Sequence, residues 1–159
     1  MKSAHVFCAL AVLVVLSGCE DPGCSSATHE ENVLAYGENV TVPAGGWTTL
    51  NSTVDPARSV ESLYGGSLYG DFWFDGPSGG RLLVLDQDAF ENWRYGLATS
   101  GGFVLTTERQ RVGHFATNVY DPSDCGATKP CIVVFDNRDD PNHDTAARAS
   151  VRVSWWVCR

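Results

Sequence analysis

The sequence predicts an all-β protein: an antiparallel β-sandwich of about eight or nine short strands with one short helix. Three observations lead there. Residues 145–158 alternate without a break, with Ala147, Ala149, Val151, Val153, Trp155 and Val157 on one face and Arg148, Ser150, Arg152, Ser154, Trp156 and Cys158 on the other. That is the period of a strand with one face in a core. Upstream, short apolar runs are separated by turn residues at close spacing, and 16 glycines and 7 prolines supply the turns such a fold needs.

In chain order the first element is a leader. Lys2 is the lone cation before Val6–Leu16, an apolar run far shorter than the roughly 20 residues of a spanning helix. The run closes on Leu16-Ser17-Gly18-Cys19, which resembles the lipobox of bacterial lipoproteins; the resemblance covers residues 1–19 only. It implies cleavage before Cys19, a diacylglycerol thioether on its sulfur, and an acyl chain such as palmitate on the new amine. Each buried CH₂ adds about 0.8 kcal/mol, and more than one chain makes anchoring stable. The implied location is the bacterial cell envelope, lipid-anchored and facing the periplasm or the cell exterior. The competing reading is an ordinary secretory peptide. Asn39-Val40-Thr41 and Asn51-Ser52-Thr53 would then be glycan acceptors in a eukaryotic host.

Removing residues 1–18 leaves 141 of 159, one domain's worth of chain, and the loss of Lys2 takes the net charge from −8 to −9. Such acidity argues against nucleic acid and against electrostatic docking on anionic lipid. The expected divisions are a signal peptide over 1–18, a lipidated tether over 19–31 and a sandwich domain over 32–159. Of six cysteines, Cys24, Cys125, Cys131 and Cys158 remain once Cys8 leaves with the leader and Cys19 carries lipid. An even number in an exported chain implies two disulfides with three pairings. The expected ones are Cys125 with Cys131, where Gly126 and Pro130 help a short loop turn, and Cys24 with Cys158, pinning both ends of the domain. A zinc site is disfavoured by the C-x₅-C spacing.

Residues 20–31 are polar and lack apolar periodicity, as a tether would. Strands are expected over Val33–Tyr36, Val40–Val42 and Trp47–Leu50, with Pro43-Ala44-Gly45-Gly46 turning between the last two. Val54–Gly66 has no clear pattern. Ser67–Asp75 is aromatic and strand-like, and Arg81–Asp86 is a continuous apolar run of the buried-strand kind. Gln87–Tyr95 is the helix, with Asp86 or Asp88 as cap, Phe90, Trp93 and Leu97 on one face and Gly96 as stop. Being short, it is expected to lie across one end of a sheet. Phe103–Thr107, Val112–Tyr120 and Cys131–Asp136 complete the strands, and Asn137–Asp144 is a long polar loop.

Several of these features in this order resemble a GOLD-type β-sandwich. They are Val42-Pro43-Ala44-Gly45-Gly46, the strand at Gly70-Asp71-Phe72, Leu83-Val84-Leu85-Asp86 followed by Phe90-Glu91-Asn92-Trp93, and Ile132-Val133-Val134-Phe135-Asp136-Asn137 ahead of the alternating last strand. The resemblance implies the fold and binding of a protein partner. It carries no catalytic residues, and neither the cysteines nor the lipid anchor belongs to its pattern.

Gly76-Pro77-Ser78-Gly79-Gly80 matches G-x-S-x-G, but apolar strands flank it where a nucleophile elbow needs a helix to follow. Asp136, Asp139, Asp140 and Asp144 crowd oxygen ligands into one loop, the donor type calcium takes, without EF-hand spacing. No other cofactor is implied. Adjacent Trp155 and Trp156 cannot share a face, so one is expected outside; Trp156, Trp93 and Tyr95 form the candidate ligand surface. The leading function is therefore a non-enzymatic, membrane-anchored protein-interaction module of the envelope. The alternative is a carbohydrate-binding module, calcium-assisted. A hydrolase is the third class, because acid pairs on separate strands leave no sequence signature.

Overall fold

The computed structural model describes residues 27–37, 39–51, 63–97, 104–120, 125 and 129–158. In chain order they form β1 (Ala27–Tyr36), β2 (Val40–Val42), β3 (Trp47–Asn51), β4 (Leu63–Phe74), β5 (Arg81–Leu85), α1 (Gln87–Arg94), β6 (Val104–Thr106), β7 (Val112–Tyr120), β8 (Ile132–Asp136) and β9 (Thr145–Cys158). The strands make two antiparallel sheets, one ordered β1-β9-β4-β7 with β2 also along β9, the other β3-β8-β5-β6. The protein is an all-β sandwich, an architecture compatible with a GOLD-like fold.

β9 is the spine of the larger sheet. On one side it pairs with β1, from Ala27↔Cys158 to Tyr36↔Ser150, and then with β2, ending at Val42↔Thr145; on the other it pairs with β4 from Leu63↔Val157 to Phe74↔Ala147. Its strict alternation now has a cause. Ala147, Ala149, Val151, Val153 and Trp155 face Leu82, Val84, Val133 and Phe135 of the second sheet in a buried core. Covering one of the Val, Leu or Phe side chains is worth about 1.5–3 kcal/mol, while Arg148, Ser150 and Arg152 between them keep contact with water and Ser154, between Val153 and Trp155, is buried.

The four-stranded sheet has a second core on its other face. Leu83, Leu85, Ile132 and Val134 are buried against Ala89 and Phe90 of α1, with Trp47 and Trp93 packed alongside. That double cover explains why β5 and β8 read as continuous apolar runs. The helix starts at Asp86, whose side chain accepts from the Ala89 N–H at 2.7 Å, and stops at Gly96, in the left-handed region at φ 69°. It lies over the sheet's face, not across an end as expected, because Phe90 and Trp93 need an apolar wall and Leu83, Leu85, Ile132 and Val134 provide one. Leu97 stays exposed.

One boundary also moves. Residues 27–31, expected in the tether, are the first half of β1. An edge strand with one neighbour and one wet face needs few apolar side chains, so Ala-Thr-His-Glu-Glu pairs through its backbone without an apolar signature. Cys125 and Cys131 form a disulfide, as the spacing predicted, with Cα atoms 5.1 Å apart. Cys19, Cys24 and the side chain of Cys158 lie outside the described residues.

Candidate functional site

The register brings four connections to one end of the sandwich. Val42↔Thr145, Phe74↔Ala147, Trp73↔Val112 and the pairing of both Trp47 and Arg81 with Asp136 place residues 43–46, 75–80, 107–111 and 137–144 together, opposite the end where Ala27 meets Cys158.

Two side chains tie these loops. Asn137, fully buried, donates through Nδ2 to the His143 carbonyl at 2.9 Å and the Pro43 carbonyl at 3.3 Å, and accepts on Oδ1 from Arg109 at 3.2 Å. Arg109 also donates to the carbonyls of Ser78 and Gly79 at 3.0 and 2.9 Å. Backbone bonds complete the bracing: Gly45 N–H to Asp140 O at 2.7 Å, Asn137 N–H to Gly46 O at 2.8 Å, and a reciprocal pair between Gly80 and Gln110. Gly79 is required here, since a Cβ would come within 2.4 Å of the Gln110 carbonyl carbon. These loops are preorganised, and buried polar groups are costly to leave unpaired, so the bracing is self-consistent.

The four acidic residues of the candidate calcium loop all sit at this end but turn to different partners. Asp136 is buried and pairs with Arg138 at 2.9 Å; Asp139 pairs with Arg81 and lies 3.7 Å from Arg109; Asp144 accepts the Ala44 N–H at 2.7 Å. Asp140 is also buried, and its carboxyl is held down to about 2. The Ser78 hydroxyl is the main cause, with His143 and the Asn142 N–H adding to it against the opposing effect of burial. Among the described residues no three His, Cys, Asp or Glu side chains gather where they could hold a metal ion.

Ser78 lies in a strand-turn-strand, and both it and His143 hydrogen-bond the Asp140 carboxylate. The acid thus stands between hydroxyl and imidazole, whereas a nucleophilic relay needs the imidazole on the hydroxyl. Beside this cluster is a depression of about 510 Å³ lined by Arg81, Thr106, Thr107, Glu108 and Arg109.

The three aromatics expected to form a ligand surface are not brought together. Trp93 is half-buried in the second core, edge-on to Trp47 at 5.6 Å, stacked on Phe90 at 6.1 Å and covered by the Arg138 guanidinium at 4.0 Å. Tyr95, exposed beyond α1, accepts from Arg94 at 2.7 Å. Trp156 is 42% exposed on the outer face of the five-stranded sheet, edge-on to His29 at 5.1 Å, while Trp155 is buried, as the alternation requires. That outer face also carries Trp73 under Arg148 at 5.1 Å, and Tyr69 bonded to Glu31, which pairs with Arg152 at 2.9 Å.

Arg109 and Asn137 are the residues that sequence reading did not single out as structural centres. Arg109 sits in Glu-Arg-Gln-Arg, where any of the polar residues could have been solvated, and Asn137 follows a strand as turn residues ordinarily do. No protein-family model matches the chain, and no curated protein matches it.

Proposed function

We propose that this protein is a non-enzymatic lipoprotein of the bacterial envelope, anchored by lipid at Cys19, whose sandwich presents its braced loop end to a protein partner. The observation that carries this reading is the cross-bracing of four loops by Asn137 and Arg109 opposite the end where the tether joins. Preordered loops lose little conformational entropy on binding, and loops on a rigid sandwich are where such scaffolds place recognition. The GOLD-like character of the fold supports a protein partner over a small substrate. The depression beside Arg81, Thr106 and Glu108 offers a place for a partner's side chain.

The test is capture from envelope extract by residues 20–159, which keep Cys24, wild type against Glu108→Arg, with and without EDTA. One specific protein held through EDTA by wild type and lost by Glu108→Arg supports the reading. Glu108 is exposed, so reversing its charge alters the surface without disturbing the core. The carbohydrate alternative draws on the aromatics of the outer face, Trp73, Tyr69 and Trp156. Retention of polysaccharide in place of protein, sensitive to Trp156→Ala, would favour it, and loss of the catch in EDTA would point to calcium.

A further inference from the structure

The tether and the charge distribution together say which part of the domain meets the membrane. β1 begins at Ala27, opposite Cys158, and the next row on the outer face is His29 against Trp156. From Cys19 to Ala27 the chain can span no more than about 25–30 Å, and His29 lies only about 7 Å further along β1. Reach alone permits contact; the surface chemistry selects it.

Among the described tryptophans only Trp156 is exposed; Trp47, Trp73 and Trp93 are half-covered and Trp155 is buried. Around it the outer face of the β1–β9 corner presents Ala27 and His29, followed along β1 by Val33, which is 42% exposed. Glu31, between His29 and Val33, is engaged by Arg152 and Tyr69. The charged clusters gather elsewhere: Arg81, Arg109, Asp136, Arg138, Asp139, Asp140 and Asp144 are at the loop end, and Asp86, Asp88 and Lys129 border a recess on the other sheet's side. On the outer face of this corner the charges of Glu31 and Arg152 offset one another, and a half-exposed indole beside them fits the headgroup zone, where tryptophan's apolar body and N–H are both satisfied. An acidic protein has little electrostatic attraction to a membrane, so an apolar contact of this kind is the one available to it.

We propose that Trp156 seats in the headgroup zone of the bilayer that holds the lipid anchor, standing the domain on its β1–β9 corner with the loop end outward. This rests on the anchored reading above. The molecule carries its own ruler, since Trp73 lies on the same face opposite Arg148, eight residues before Trp156 on β9, or about 27 Å farther out.

The experiment uses the full-length protein, its lipid state read by intact mass, in phosphatidylcholine vesicles containing chain-brominated phosphatidylcholine, a contact quencher of indole emission. Wild type and Trp73→Phe should each show a bromolipid-quenched component, and Trp156→Phe should lose it while melting at an unchanged temperature. If lipid-bearing wild type is unquenched, or Trp156→Phe keeps the component, or Trp73→Phe removes it, the proposed seating is wrong. A mass without lipid at Cys19 is a different failure, because it overturns the anchor itself.

Discussion

The two sheets of this sandwich obey different sequence rules because they have different numbers of covered faces. The five-stranded sheet has one face in the core and one largely in water, and its spine β9 alternates between covered and wetter residues along most of its length, with Ser154 the buried exception. The four-stranded sheet lies between its partner sheet and α1, and β8 is buried at every position, Ile132 to Asp136. Continuous apolar runs are associated with parallel strands under helices, yet here both sheets are antiparallel. Periodicity therefore records how many faces are covered, not how strands are paired.

The sharpest way to break that comparison is at Trp155 and Trp156, adjacent in sequence and opposite in face. Trp155→Ala should cost about 3–5 kcal/mol, as for other fully buried aromatics, while Trp156→Ala should stay within about 0.5 kcal/mol of wild type. Urea midpoints on the soluble domain measure both. Equal losses would mean that β9 is covered on both faces. The matching test in the other sheet is Val133→Ala against Val134→Ala. Val133 faces the main core and Val134 the helix-covered one, so both should cost about 1–3 kcal/mol. A neutral Val134→Ala would show that α1 is not a true second cover.

How much of this was readable in the sequence follows from the same physics. β7 and β9 were placed to the residue and α1 to within one, because alternation, a capping Asp86 and a Gly96 stop are local signals. The disulfide between Cys125 and Cys131 was readable from spacing. The start of β1 was not, since an edge strand can be polar and still pair. Nor was the seat of α1, because Phe90 and Trp93 reveal an apolar face without naming the wall it meets. The loop end was visible only as polar residues: Asp136, Asp139, Asp140 and Asp144 offer the donor type calcium takes, but crowding in sequence does not fix where carboxylates point. Their partners, Arg138, Arg81, Ser78 and the Ala44 N–H, come from two residues to a hundred residues away.

Both cores are apolar, so acid sensitivity should arise mainly in the loops that join the sheets, with a smaller part on the wet face of the larger sheet. Asp140 is the group to watch. Its folded carboxyl titrates at about 2, against 3.8 ordinarily. The unfolded chain thus binds the proton first, and the stabilisation is complete above about pH 4 and disappears as pH falls toward 2. Melting temperature should drop over that interval in wild type and drop less steeply in Asp140→Asn. Parallel acid profiles would show that the Ser78 and His143 contacts do not stabilise the loop end.

The smallest effect is expected on the wet face of the larger sheet, where Glu31 joins Tyr69 and Arg152 across three strands. The Tyr69 hydroxyl, and next the Arg152 guanidinium, lower the Glu31 carboxyl, while the same bond raises the Tyr69 phenol. About a third of each partner in the Glu31–Arg152 pair remains in water, and exposed pairs of this kind contribute only about 0–1 kcal/mol. Glu31→Gln should therefore shift the urea midpoint slightly, and the shift should shrink in high salt as screening weakens the pair. The sign in pH follows from the lowered carboxyl: the contribution is present above the ordinary glutamate range and fades as pH falls from there through the lowered value of the folded state. A loss comparable to that of Val133→Ala would mean the outer face is covered after all, and β9 would then need a reason other than water for its alternation.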